Sequence, residues 1–137
     1  MKHIIVGYDE TPPAERALER AAELAKAFGA KLTVTSIAPV LVGAGRGIGP
    51  VDPADPPARH QLQLQHAKDK LAALGLDAEI VVGIGDPARS IVSLAEDKSA
   101  DLIVVGTREP GMLERLFGLS VSGSVEHHAH CDVLIVH

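Results

Sequence analysis

The sequence predicts an α/β protein built on an open, doubly wound, five-stranded parallel sheet with four helices. Three observations carry this reading. Short runs rich in Val and Ile alternate along the chain with segments of helical period. Ile4–Val6 and Leu102–Val105 have almost no polar interruption, as in strands buried on both faces. Gly, Pro or Asp stands at nearly every junction between runs and helical segments. Strands alternating with helices make a parallel sheet, and right-handed crossovers place helices on both of its faces.

Taken in order, Ile4–Val6 is a β-branched first strand and Asp9–Thr11 a turn. Thr11 suits a helix N-cap, with Pro12 at the first helical position. Ala14, Ala17, Leu18, Ala21, Ala25 and Phe28 then recur at helical spacing, and Gly29 is the stop signal. Lys31–Ala38 is the second strand. Pro39–Pro57 is crowded with glycines and prolines and reads as one long loop. A loop of that length is functional or disordered. It is not a domain boundary, because neither side could form a separate core. Leu64, Ala67, Leu71 and Leu74 mark a second helix ended by Gly75. Asp77–Val82 is the third strand, followed by a turn over Gly83, Gly85 and Asp86. Pro87 opens a third helix with Ala88, Ile91, Val92 and Ala95 on one face. Leu102–Val105 is the fourth strand, ending at Gly106. A loop over 107–119, with a helical turn at Met112–Phe117, leads to a fourth helix marked by Val121, Val125 and Ala129. Val133–Val136 is the fifth strand.

A chain of 137 residues predicts one domain, 1–137. Tyr8, Phe28 and Phe117 are its whole aromatic set, so the core must be aliphatic and no stacking platform for single-stranded nucleic acid is present. A formal charge of −5 argues further against a nucleic-acid partner. The single Cys131 excludes an intrachain disulfide and a multi-cysteine zinc site. No segment approaches the roughly 20 apolar residues that would cross a membrane. The N-terminal apolar run is too short for a signal peptide and is broken by Asp9. The expected location is the cytoplasm.

In open α/β sheets, ligands bind outside the carboxyl ends of the strands, where the strand order reverses. That rule points to Gly7–Asp9, Ile37–Ala38, Gly83–Asp86 and Gly106–Ser122. The last stretch leaves a strand, runs through a glycine-bearing loop and enters a helix at Ser120–Ser122. A helix start with hydroxyls can hold phosphate. Equally, the glycines can be loop punctuation and Ser120 an N-cap. Asp86-Pro87 reads as the cap of the third helix. His127, His128 and His130 cluster near Cys131 and Asp132, but they do not share one helix face and read as packing residues rather than metal ligands. No Gly-x-Ser-x-Gly elbow and no complete P-loop occurs.

Four segments together carry a family resemblance: Ile4-Ile5-Val6-Gly7-Tyr8-Asp9, Gly83-Ile84-Gly85-Asp86-Pro87-Ala88, Ala100–Arg108, and Ser120-Val121-Ser122 through to Ala129–Val136. With these the chain resembles the universal stress protein family over essentially its whole length. The resemblance implies an adenine-nucleotide alpha-hydrolase-like fold. It also implies a stress or signalling module that binds ATP, with Mg²⁺, and does not turn it over. Many members bind ATP through Gly, two residues, Gly, nine residues, then Gly-Ser or Gly-Thr. Here Gly106 fits the first glycine and Ser120 the hydroxyl, while Glu109 and Leu119 replace the other two glycines. Leu119 lacks a glycine's freedom where backbone meets phosphate. An inward-facing Glu109 would repel the phosphates by roughly 4 kcal/mol at about 4 Å and an effective dielectric near 20. Arg108 and Arg115 could offset that, and the amides of Ser120, Val121 and Ser122 survive the substitutions.

Further positions follow from the resemblance. Asp9 matches the acidic residue that meets adenine or metal, and it can also cap the first helix. Gly7 and Tyr8 lie where backbone meets nucleotide, with Tyr8 standing where the family usually has a small residue, Val or Thr. Ile37 matches the second-strand residue beside the adenine, although core packing explains it equally well. Val105 and Gly106 match the strand end under base and ribose. With strand order 3-2-1-4-5 the last strand lies at a sheet edge. The resemblance implies a homodimer through that strand, Val133–Val136. The alternative reading is a dimeric interaction module that binds no nucleotide, which Glu109 and Leu119 favour.

Overall fold

The computed structural model describes residues 1–41, 49–107 and 129–137. The elements run β1 (His3–Gly7), α1 (Pro12–Phe28), β2 (Lys31–Ala38), α2 (Pro57–Ala73), β3 (Ala78–Ile84), α3 (Pro87–Asp97), β4 (Leu102–Gly106) and β5 (Asp132–Val136). All five strands pair in parallel, in the order β3-β2-β1-β4-β5. Three helices lie among the described residues. The predicted fourth, over 121–128, and the predicted turn at Met112–Phe117 lie outside them, and Ala129 is not helical.

The alternation of strand side chains splits the core into two layers. Ile4, Val6, Leu32, Val34, Leu102 and Val104 face α1 and α2, meeting Ala17, Leu18, Ala21, Leu64, Ala67 and Leu71. Ile5, Ile103 and Val105 face the other way, against Ala88, Ile91, Val92 and Ala95 of α3. The small alanines on the inner faces of α1 and α3 let both helices lie close to the sheet. This is why a core with almost no rings still closes.

Both ends of α1 and the start of α3 follow their sequence signals. Thr11 caps α1, its hydroxyl accepting from the Ala14 amide at 3.4 Å, and Gly29 closes the helix at φ 64°. Asp86 caps α3 by accepting from the Arg89 amide at 3.0 Å. Two details differ from the sequence reading. Gly83 belongs to β3 rather than to a turn: it pairs with Ile37, and the strand continues to Ile84. Its lack of a side chain serves packing, since a Cβ there would come within 2.5 Å of the Ile37 Cδ1. The Pro39–Pro57 segment also carries some order of its own, because Val40 and Val51 form an antiparallel bridge.

Candidate functional site

The carboxyl ends of β1, β2 and β4 open onto a cleft of about 360 Å³, large enough for a small-molecule ligand. It lies beside β1, where the strand order reverses. Gly7, Tyr8 and Asp9 line it from β1, Thr35, Ser36 and Ile37 from β2, and Val105 and Gly106 from β4. Thus Gly7, Tyr8, Asp9, Ile37, Val105 and Gly106 come together as the sequence suggests. Arg108, Glu109, Leu119, Ser120, Val121 and Ser122 lie outside the described residues.

Glycine is needed at Gly106 because α1 starts against it. A Cβ there would lie 2.7 Å from the carbonyl carbon of Pro13 and 2.8 Å from its Cβ and oxygen. The fit holds the amino end of α1 over the end of β4. Asp9 braces the same corner, its Oδ1 accepting from the Thr11 amide at 3.2 Å and from the Thr11 hydroxyl at 2.5 Å. The cap role read from the sequence for Asp9 is therefore exercised through Thr11.

Tyr8 is buried among core residues of α1 and α2 while also lining the cleft. Its hydroxyl donates to Glu15 Oε1 at 2.5 Å, and Lys70 Nζ of α2 donates to the same oxygen at 2.6 Å. Burial and this bond hold the Tyr8 hydroxyl far above its ordinary titration range, so it stays a donor. Burial also raises Glu15, but the donors Lys70 and Tyr8 outweigh it and leave its carboxyl below the ordinary range. One carboxylate thus ties β1, α1 and α2 together beside the cleft.

The fourth wall, from α2 and the segment before it, was not anticipated. Asp55, Arg59, His60 and Gln63 all line the cleft. His60 is buried, with 6% of its surface exposed. Its Nδ1 bonds the Ser36 hydroxyl at 2.5 Å, and its Nε2 bonds Asp55 Oδ1 at 2.8 Å. A signal for it exists in the sequence. His60, Leu64, Ala67 and Leu71 recur at helical spacing, so a polar residue sits on the buried stripe of α2.

Among the described residues no group of three or more His, Cys, Asp and Glu is placed to hold a metal. His127 and His128 lie outside them. His130 is exposed and lies 3.3 Å from Glu96. Burial, with Asp132 beside it, pushes the Cys131 thiol up, away from the thiolate form.

The universal stress protein family model matches residues 1–137. Universal stress protein YxiE of Bacillus subtilis is 33% identical over 144 residues, covering 97% of each chain. A solved universal stress protein in complex with cAMP is 30% identical with a TM-score of 0.70, covering 99% of this chain and 96% of that one. The universal stress protein from Archaeoglobus fulgidus in complex with dAMP shares the fold at 23% identity and a TM-score of 0.72, covering 100% of this chain and 98% of that one. The match of the family model across the whole chain, together with these relatives and the sheet order, shows that this chain belongs to the universal stress protein family.

Proposed function

We propose that this chain is a stress or signalling module that binds an adenine nucleotide in the cleft between the ends of β1, β2 and β4. The observation that supports this most is the convergence of Gly7, Asp9, Ile37, Val105 and Gly106 on one cavity of nucleotide size at the switch point. A relative at 30% identity in complex with cAMP supports the adenine class. Ile37, partly exposed, offers aliphatic contact to the base, with Val105 buried behind it. Gly7 and Gly106 bring the ends of β1 and β4 to the cleft wall. The nucleotide proposed is ATP, with Mg²⁺ arriving on the triphosphate, and the role is binding rather than turnover in the cytoplasm. Arg108 and the Ser120–Ser122 amides would hold the phosphates.

Calorimetric titration of the purified protein with ATP and Mg²⁺, and with AMP and cAMP in parallel, tests the proposal. Saturable heat below millimolar ligand, with a matching rise in melting temperature, is the expected result. No heat and no thermal shift at millimolar concentration of all three ligands would sink the nucleotide reading and leave the dimeric interaction module.

The same chain is proposed to form a homodimer through β5. That strand is a sheet edge, pairing only with β4 among the described strands, and Val133, Leu134, Ile135 and Val136 stay partly exposed along it. An apolar edge of this kind pairs readily with another strand. Light scattering at micromolar concentration should give twice the chain mass, and Ile135→Lys should return it to one. A wild-type monomer would refute the dimer.

A further inference from the structure

Three groups on the α2 side of the cleft form a fixed chain. Ser36 leaves the end of β2 and its hydroxyl bonds His60 Nδ1. His60 Nε2 bonds Asp55 Oδ1. Gln63 accepts weakly from Ser36 at 3.4 Å. With the His60 proton on Nε2 the ring donates to Asp55, and the single Ser36 hydroxyl proton is shared between His60 Nδ1 and, more weakly, Gln63 Oε1. The chain resembles a nucleophile, base and orienter. However, Ser36 is only 3% exposed, so an incoming carbonyl or phosphoryl group could not reach its oxygen.

The exposed end of the chain is the other one. Asp55 keeps about a third of its side chain open, 34%, and lines the cleft. Oδ1 is held by a buried histidine that Ser36 in turn holds. Oδ2 has no hydrogen bond among the described residues. Arg59 lines the same cleft but makes no ion pair with Asp55. A carboxylate accepts and never donates when ionised. An ionised carboxylate favours the N–H and O–H donors of a nucleoside over phosphate oxygens, while Arg59 brings the opposite charge to the same wall.

We propose that Asp55, aimed by His60 and Ser36, is a ligand-recognising carboxylate of the cleft that accepts an N–H or O–H of the bound nucleoside. Asp55 is the contact and His60 is the positioning residue. The donor is the exocyclic amine of the base or a ribose hydroxyl. The proposal rests on the nucleotide reading above.

The test measures affinities of AMP, of IMP, in which the amine is replaced by oxygen, and of 2′-deoxy- and 3′-deoxy-AMP, by calorimetry. Wild-type protein should prefer AMP over one of these analogues by about tenfold to a hundredfold, the worth of a hydrogen bond to a charged group. The analogue that loses affinity identifies the donor. In Asp55→Ala that one preference should collapse to near unity while the other ratios stay as in wild type. His60→Phe, which fills the same space without holding Asp55, should shrink the same ratio, an effect that a merely structural residue would not have on selectivity. If Asp55→Ala disturbs the fold, Asp55→Asn keeps the volume and should lower the ratio in the same direction. AMP binding with every ratio unchanged in the Asp55 variants overturns this proposal and leaves the nucleotide reading standing. No binding of any nucleotide by wild-type protein overturns both.

Discussion

Gly106→Ala should lower the stability of this protein by about 1–3 kcal/mol, the usual cost of forcing atoms into a packed site. Nucleotide affinity should fall at least tenfold. The added methyl would sit 2.7–2.8 Å from Pro13 carbon and oxygen atoms, two of them backbone. Backbone at the start of a capped helix does not swing aside alone. Moving Pro13 would drag Thr11 and the Asp9 carboxylate bonded to it, both on the cleft wall. Gly7→Ala is the control. Its methyl would meet Ile91 Cδ1 at 3.1 Å and Val105 Cγ1 at 3.3 Å, side-chain ends that yield more cheaply. Urea unfolding of both variants decides the matter. A Gly106→Ala protein as stable as Gly7→Ala would mean that α1 does not depend on close contact with β4.

Ile5→Ala should be the most damaging of the simple core truncations, at about 2–5 kcal/mol. Ile5 is fully buried in the central strand and packs in the layer containing Ile91, Val92, Ile103 and Val105. The vacated space is enclosed by strands on both sides, so little can move in to fill it. For a domain of this size the loss corresponds to a fall in melting temperature of roughly 7–17 °C. A saturating ligand should restore part of it, since ligand binds only the folded chain. A measured loss below about 1 kcal/mol would show that the α3 layer collapses around the void.

β1 and β4 were legible because Ile4–Val6 and Leu102–Val105 are unbroken apolar runs, whereas β2 was legible from its β-branched residues, Thr33 and Thr35 among them. Helix starts were legible for a different reason: Thr11-Pro12 and Asp86-Pro87 are caps that act through a few neighbouring atoms. The β-end positions Gly7, Asp9, Ile37 and Gly106 could be placed on one cleft because strand order brings them together, and Val105 because the family resemblance names it. Gly83 misled because a glycine signals a turn and a close contact with the same letter, and only the Ile37 side chain across the ladder tells them apart. The α2 wall was hidden by distance in sequence. Ser36 and His60 are 24 positions apart, and nothing local says that β2 and α2 will face each other at that level. His60 on an otherwise apolar stripe was the one readable hint.

The central position of β1 sets a timetable for synthesis. Its first residues are finished by partners made very late: Ile4 pairs with Leu102, and the His3 amide donates to Asp101 across 98 positions. On a ribosome the first strand therefore emerges with one edge bare, protected only by β2, until two-thirds of the chain has followed. Contacts this distant slow folding, and an uncovered strand edge is where nascent chains associate wrongly. The cleft cannot exist before β4 docks, because Val105 and Gly106 supply one of its walls. Ligand occupancy would thus report a finished molecule, and nascent chains stalled before residue 102 should be unable to retain nucleotide at all.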